Sequence, residues 1–99
     1  MAPDLKDIVG FEWDSGNDAK SVEKHSVYRH ESEQAFANQP LIVAEDPAHS
    51  KSEQRYRALG KTNEGRLLHI VFTIRGELVR VISARPMSRN ERKIYESED

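Results

Sequence analysis

Apolar positions recur at every second residue through the later part of this chain. From Leu67 to Ile74, the residues Leu68, Ile70, Phe72 and Ile74 alternate with Leu67, His69, Val71 and Thr73, the period of a strand with one buried face. Val79, Val81 and Ser83 alternate in the same way with Arg80, Ile82 and Ala84, and Pro86 ends that ladder because it has no N–H to donate. Arg75-Gly76-Glu77 supplies the turn between these two strands. Tyr56 to Lys61 predicts a further strand, broken at Gly60, and Thr62-Asn63-Glu64-Gly65 carries hairpin-turn chemistry. Leu41 to Ala44 predicts another, and Ile8 to Asp14 a short first strand with Phe11 and Trp13 on one face.

Helical signals fall at three places. One helix is expected from Asp14 or Ser15 to Lys24-His25, whose cations suit the negative end of its dipole. A second should cover His30 to Ala37 and close at Asn38-Gln39-Pro40. The third should begin at Arg89, because Ser88 and Glu91 have the spacing of a capping box. Glu45 to Gln54 is polar, contains Asp46-Pro47, and reads as a loop. The order predicts an α+β fold: a small twisted antiparallel sheet with two N-terminal helices and one C-terminal helix packed on one side. Residues 1–99 are expected to form one domain with a core over about 8–96.

Composition narrows the function classes. Hydrophobic residues make up 36% and charged residues 32% of the chain, yet the clear periodicity indicates a globular rather than a disordered protein. No apolar run is long enough to cross a bilayer, and the N-terminus lacks the basic and apolar regions of a signal peptide, so a cytoplasmic location is expected. The absence of cysteine removes disulfides, thiol nucleophiles and cysteine-bound zinc. No histidine spacing resembles a zinc signature, so neither a metal nor another cofactor is expected. Charge is unevenly spread. Residues 1–54 carry five Lys/Arg against eleven Asp/Glu, a net −6, whereas residues 55–99 carry ten against six, a net +4. A nonspecific nucleic-acid binder is usually basic overall, so this distribution points to a local cationic site, or else the two halves neutralise each other across a sheet.

Arg80, Arg85, Arg89, Arg92 and Lys93 lie on one strand-turn-helix unit, and Arg55, Arg57, Lys61 and Arg66 come from the preceding hairpin. Guanidinium forks match phosphate and stabilise the charge that grows on a phosphodiester during cleavage. The competing reading pairs these arginines with Glu45, Glu53, Glu77 or Glu91 simply to solubilise the sheet. His49, with Glu53 to orient it, has the chemistry to move protons to or from a 2′-hydroxyl or a leaving 5′-oxygen; alternatively Ser50 and Glu53 only cap a turn. Lys24 and His25 offer a second source of proton transfer, or else compensate a helix dipole. His69 lies inside a strand and reads as a packed side chain.

Several short motifs occur in a recognisable order. Phe11-Glu12-Trp13-Asp14, Lys24-His25 with Val27, Asn38-Gln39-Pro40-Leu41, His49-Ser50 with Glu53 and Arg55-Tyr56, Gly60-Lys61-Thr62 and Gly65-Arg66 are followed by Arg80 to Arg85, Met87-Ser88-Arg89 and Glu91-Arg92. From about Phe11 to Tyr95 the chain resembles the BrnT toxins of bacterial type II toxin-antitoxin pairs. The resemblance implies a RelE-like fold and a metal-independent ribonuclease. It also implies a ribbon-helix-helix antitoxin of the BrnA kind as partner, through which operator DNA is contacted only indirectly, in a homodimer or a 2:2 complex. On that reading Arg80 and Arg85 bind the scissile phosphate, Arg55 assists, and His49, Lys24 or His25 move protons. Lys61, Arg66, Arg89 and Arg92 would hold RNA. Ser21 stands where many of those toxins have Asn and Ser26 where they have Gly, which bears on the turn after the first helix. The alternative is a non-catalytic module that docks an antitoxin and contributes to operon autoregulation.

Overall fold

The computed structural model describes residues 3–49 and 52–98. Its elements are β1 (Gly10–Phe11), α1 (Lys20–His25), α2 (Arg29–Ala37), β2 (Ile42–Glu45), a 3-10 turn at Pro47–His49, β3 (Tyr56–Lys61), β4 (Leu67–Arg75), β5 (Leu78–Pro86) and α3 (Arg89–Glu96). The five strands form one sheet in the order β1-β5-β4-β3-β2. β2 to β5 pair antiparallel as their alternation predicts, but β1 runs parallel to β5, with Gly10 opposite Leu78 and Phe11 opposite Val79. The sheet is therefore mixed, not wholly antiparallel. Two helices and three strands intervene before the chain returns beside β1, so no tight turn imposes the antiparallel direction on it.

The first helix starts later than its sequence suggests. Asp14 accepts a hydrogen bond on Oδ1 from the Gly16 N–H (2.8 Å), and Asn17 accepts one from the Asp14 N–H (2.8 Å), so short polar side chains hold residues 14–18 in turns. Buried Asn17 also donates to the carbonyls of Glu12 (2.9 Å) and Val81 (2.8 Å). One turn later, Ser21 Oγ accepts from the Ala84 N–H at 2.8 Å. α1 and its approach thus satisfy the edge of β5 that two-residue β1 leaves bare, a standard way to close a sheet edge. Ser26 then reverses the chain in the left-handed region (φ 55°), where glycine is the least strained residue.

The helices do not share one side of the sheet. α2 covers the face formed by Ala58, Leu68, Ile70, Phe72, Val79, Val81 and Ala84, adding Val27, Ala35 and Phe36 to that core. Phe36 meets Phe11 at 5.5 Å and Phe72 at 5.0 Å between ring centroids, both edge-on; such pairs contribute about 0.5–1.5 kcal/mol beyond their burial. α3 lies on the opposite face, where Met87 and Tyr95 pack with Leu59, Ile42 and Leu67. Tyr95 Oη donates to the Pro40 carbonyl at 2.7 Å. Ser88 and Glu91 form the expected capping box at its start. Since α3 covers only one end, much of that second face stays open.

Strand β5 contains an extra residue. Val71 pairs with Ser83 but Phe72 pairs with Val81, leaving Ile82 unopposed. Side chains alternate faces along a strand, so this bulge inverts the alternation beyond it. Simple alternation would set Arg80 and Arg85 on opposite faces. With the bulge, Arg80 lies opposite Thr73 and Arg85 opposite His69, and both arginines belong to the open face.

Gly60 does not break β3, which runs unbroken to Lys61. Its role is close approach: a Cβ there would stand 2.8 Å from the Ala35 carbonyl oxygen and 3.2 Å from Ala35 Cβ. Gly60→Ala is expected to push α2 off the sheet and destabilise the protein by roughly 1–3 kcal/mol, read from urea unfolding. An unchanged midpoint would show that α2 is not seated as tightly as the structure has it.

Candidate active site

The open face has three zones. At one end, α3 and its apolar partners close it. At the other end, buried Thr73 donates from Oγ1 to the Gln54 carbonyl (2.7 Å), holding the segment before β3 against the sheet. Between them lies a concavity of about 360 Å³. β3 contributes Arg57 and the preceding Arg55, β4 contributes His69 and Val71, and β5 contributes Ile82, Ser83 and Arg85. Lys20 of α1 and the Asp46–His49 turn complete its wall. A second depression, about 590 Å³, shares His49 and Arg55 and includes Ser52. Ser50 and Lys51 lie outside the described residues.

Most of the arginines are already committed to acids. Arg80 bonds through Nη1 to Glu12 (2.9 Å) and Asp14 (2.9 Å) and through Nη2 to Asp14 (3.1 Å), with its side chain only 14% exposed. Its hydrogen bonds to Asp14 raise its pKa, and the same contact lowers that of Asp14. Arg75 joins the network by bonding Glu53 (2.9 and 3.1 Å) and Glu12 (3.1 Å). Arg80 is therefore on the open face but outside the lining of the concavity. Arg66 is spent differently: it bonds Glu31 and the carbonyls of Ser26 and His25, tying the α1–α2 link to the β3–β4 hairpin.

Arg85 does line the concavity, gripped by Glu91 in a bidentate pair at 2.8 and 2.9 Å. This is one of the acid partners that the solubilising reading names. Arg57 differs from both. It is exposed, it lines the same space, and it makes no ion pair among the described residues. His49, whose side chain is 68% exposed, is held through Nδ1 by buried Asp46 at 3.0 Å rather than by Glu53, which is occupied by Arg75. Lys24 and His25 are exposed at the end of α1 and do not line the concavity, nor do Lys61, Arg89 and Arg92. Sequence reasoning passed over Lys20 and Asp46 and treated His69 as packing. The available signal was parity: His69 and Arg57 alternate with the apolar residues that face α2.

His69 forms the floor. Its side chain is 8% exposed, and Nε2 finds no hydrogen-bond partner among the described residues; the nearest acid, Glu91 Oε2, is 3.8 Å away. Burial holds its pKa below the ordinary imidazole value, and Arg85 adds to that while Glu91 opposes it. Glu91 itself is lowered to about 2, first by its hydrogen bonds from Arg85. A carboxylate with a depressed folded-state pKa stabilises the fold above its ordinary value, and that contribution disappears as pH falls through the folded value. Between about pH 4.5 and 2, wild-type protein should lose about 2 kcal/mol from this pair, after discounting for the half-exposed Arg85. Glu91→Gln should lack this part of the acid slope in urea titrations; parallel slopes would contradict the assignment.

Among the described residues no helix is long and apolar enough to cross a membrane. Comparison with curated proteins finds no match. A family model does match residues 13–91, and its description is a ribonuclease toxin, BrnT, of type II toxin-antitoxin systems. The matched span contains every residue lining the concavity. The chain belongs to the BrnT family of ribonuclease toxins, which act on RNA and are paired with an antitoxin.

Proposed function

We propose that this protein cuts RNA in the concavity between β3, β4, β5 and the Asp46–His49 turn, and that Arg57 is its principal phosphate ligand. What carries the reading is the contrast between Arg57, without an ion pair among the described residues inside the concavity, and Arg80, held by Glu12 and Asp14 outside it. An incoming phosphate gains most from a cation that need not first abandon an acid. Arg55 and Lys20 flank Arg57 in the lining, and Arg85 joins them by exchanging Glu91 for the phosphate.

In the reaction, the ribose 2′-oxygen attacks the adjacent phosphorus and the bond to the 5′-oxygen breaks. A base takes the 2′-hydroxyl proton and an acid protonates the departing 5′-oxygen, leaving a 2′,3′-cyclic phosphate and a 5′-hydroxyl end. His49, fixed at Nδ1 by Asp46, keeps Nε2 for one of these transfers. The arginines offset the growing charge on the non-bridging oxygens. No step calls on a metal. Lys24, one helical turn from Lys20, together with Lys61, Arg89 and Arg92, supplies positive charge for flanking phosphates. The location is cytoplasmic. The antitoxin is a ribbon-helix-helix protein of the BrnA kind, as the resemblance to BrnT toxins implies.

Arg57→Ala should lower RNA cleavage, assayed in chelator on a fluorogenic single-stranded substrate, by roughly 10²-fold. Arg80→Ala should cost less than about tenfold in the same assay while lowering Tm, because it strands Glu12 and Asp14. The reverse ranking, or activity that vanishes with chelator, would refute this reading.

A further inference from the structure

Three side chains from three elements meet under the concavity: Arg85 of β5, Glu91 of α3 and His69 of β4. We infer that His69 is a positioning residue that takes up a proton when Arg85 leaves Glu91 for the RNA phosphate, and so makes RNA binding proton-linked. The inference rests on the proposed site and concerns how that site is armed.

The resting arrangement satisfies Glu91 at the expense of His69. Glu91 accepts two bonds from Arg85 (2.8 and 2.9 Å) and one from the Ser88 N–H (2.8 Å). His69 Nε2 stands 3.8 Å from the same carboxylate, buried and without a hydrogen-bond partner among the described residues. A neutral imidazole suits that position while Arg85 is beside it, and burial with the neighbouring guanidinium already disfavours the charged ring.

When Arg85 turns to a phosphate, Glu91 keeps its Ser88 bond but loses a cation in a place where its side chain is 19% exposed. A half-buried carboxylate without a counter-charge is costly. The nearest available remedy is a proton on His69, which turns Nε2 into a donor toward Glu91 and restores the charge balance Arg85 had provided. The other groups facing His69 pull in both directions. Arg57 and Arg55 on the β3 side, Lys20 of α1 and a protonated His49 oppose the charge, while Asp46 and the bound phosphate favour it. The local change, one cation leaving and one anion arriving, is the term that differs between free and bound protein. His69 does not touch the reacting phosphate in this scheme; it acts through Glu91 on Arg85.

The test uses a short single-stranded oligonucleotide with 2′-O-methyl riboses, which cannot be cleaved. Calorimetric titration at pH 7 in buffers of different ionisation enthalpy counts the protons exchanged on binding. Wild-type protein should take up roughly half a proton or more per oligonucleotide, and His69→Gln should take up markedly less. In wild-type protein, the His69 Cε1–H resonance should also titrate at higher pH with oligonucleotide than without, a readout that needs no variant to fold. Cleavage by wild-type protein should fall as pH rises above neutrality, and His69→Gln should flatten that limb. Binding that needs Arg57 but proceeds with no proton uptake, or with uptake equal in His69→Gln, would overturn this inference and leave the site intact. Binding indifferent to both Arg57→Ala and Arg85→Ala would overturn the site, and the inference with it.

Discussion

Ile82 interrupts the pairing of β5 with β4, and because side chains alternate across a strand, every residue beyond it changes face. Before the bulge, Val79 and Val81 enter the core under α2; after it, Ala84 does. Arg85 is carried to the face where Arg57 and His69 already lie, and the site has three of its side chains on three adjacent strands. Without the extra residue the same sequence would aim Arg85 at the hydrophobic core. Burial of an unpaired guanidinium there would cost more than the bulge does. The open face with its concavity and the core are thus two consequences of one irregularity in the ladder.

The second organising constraint is competition for guanidinium groups. The acidic first part of the chain does not simply face solvent. Glu12, Asp14, Asp18, Glu31 and Glu53 each hold an arginine, and in doing so they fasten the N-terminal segment, the α1–α2 link and the loop before β3 to the sheet. These pairs are largely exposed, so their value is mainly in fixing geometry. They also occupy Arg29, Arg66, Arg75 and Arg80, which are therefore not free cations of the surface. Within the lining of the concavity, Arg57 and Lys20 make no ion pair among the described residues, and Arg85 is held by Glu91.

Much of the architecture was legible in the sequence because it follows from period and punctuation. The β3–β4–β5 meander, the turn at Arg75-Gly76-Glu77 and the capping box at Ser88 and Glu91 stand where the pattern sets them. Three features were not legible. The parallel direction of β1 depends on where the chain returns after five further elements, the placement of α3 on the opposite face depends on which side of the sheet Leu59 and Leu67 leave uncovered, and the delayed start of α1 depends on Asp14 and Asn17 capturing backbone groups. At the site, residue type pointed to arginine and phosphate, and membership of a ribonuclease family agrees with that chemistry. Arginine identity was the harder matter, since alternation says nothing of a bulge and composition says nothing of which acids reach which bases. Arg80 and Arg57 look alike on the page; one is tied to Glu12 and Asp14 and the other is not.

A crystal structure of the protein with an uncleavable single-stranded oligonucleotide bears most directly on where catalysis takes place. It should show a phosphate within hydrogen-bonding distance of Arg57 in the concavity, Arg85 turned from Glu91 toward it, and Arg80 still bonded to Glu12 and Asp14. A backbone phosphate seated on Arg80 with those two acids displaced, or an oligonucleotide bound on the α2 face, would contradict the assignment of the site.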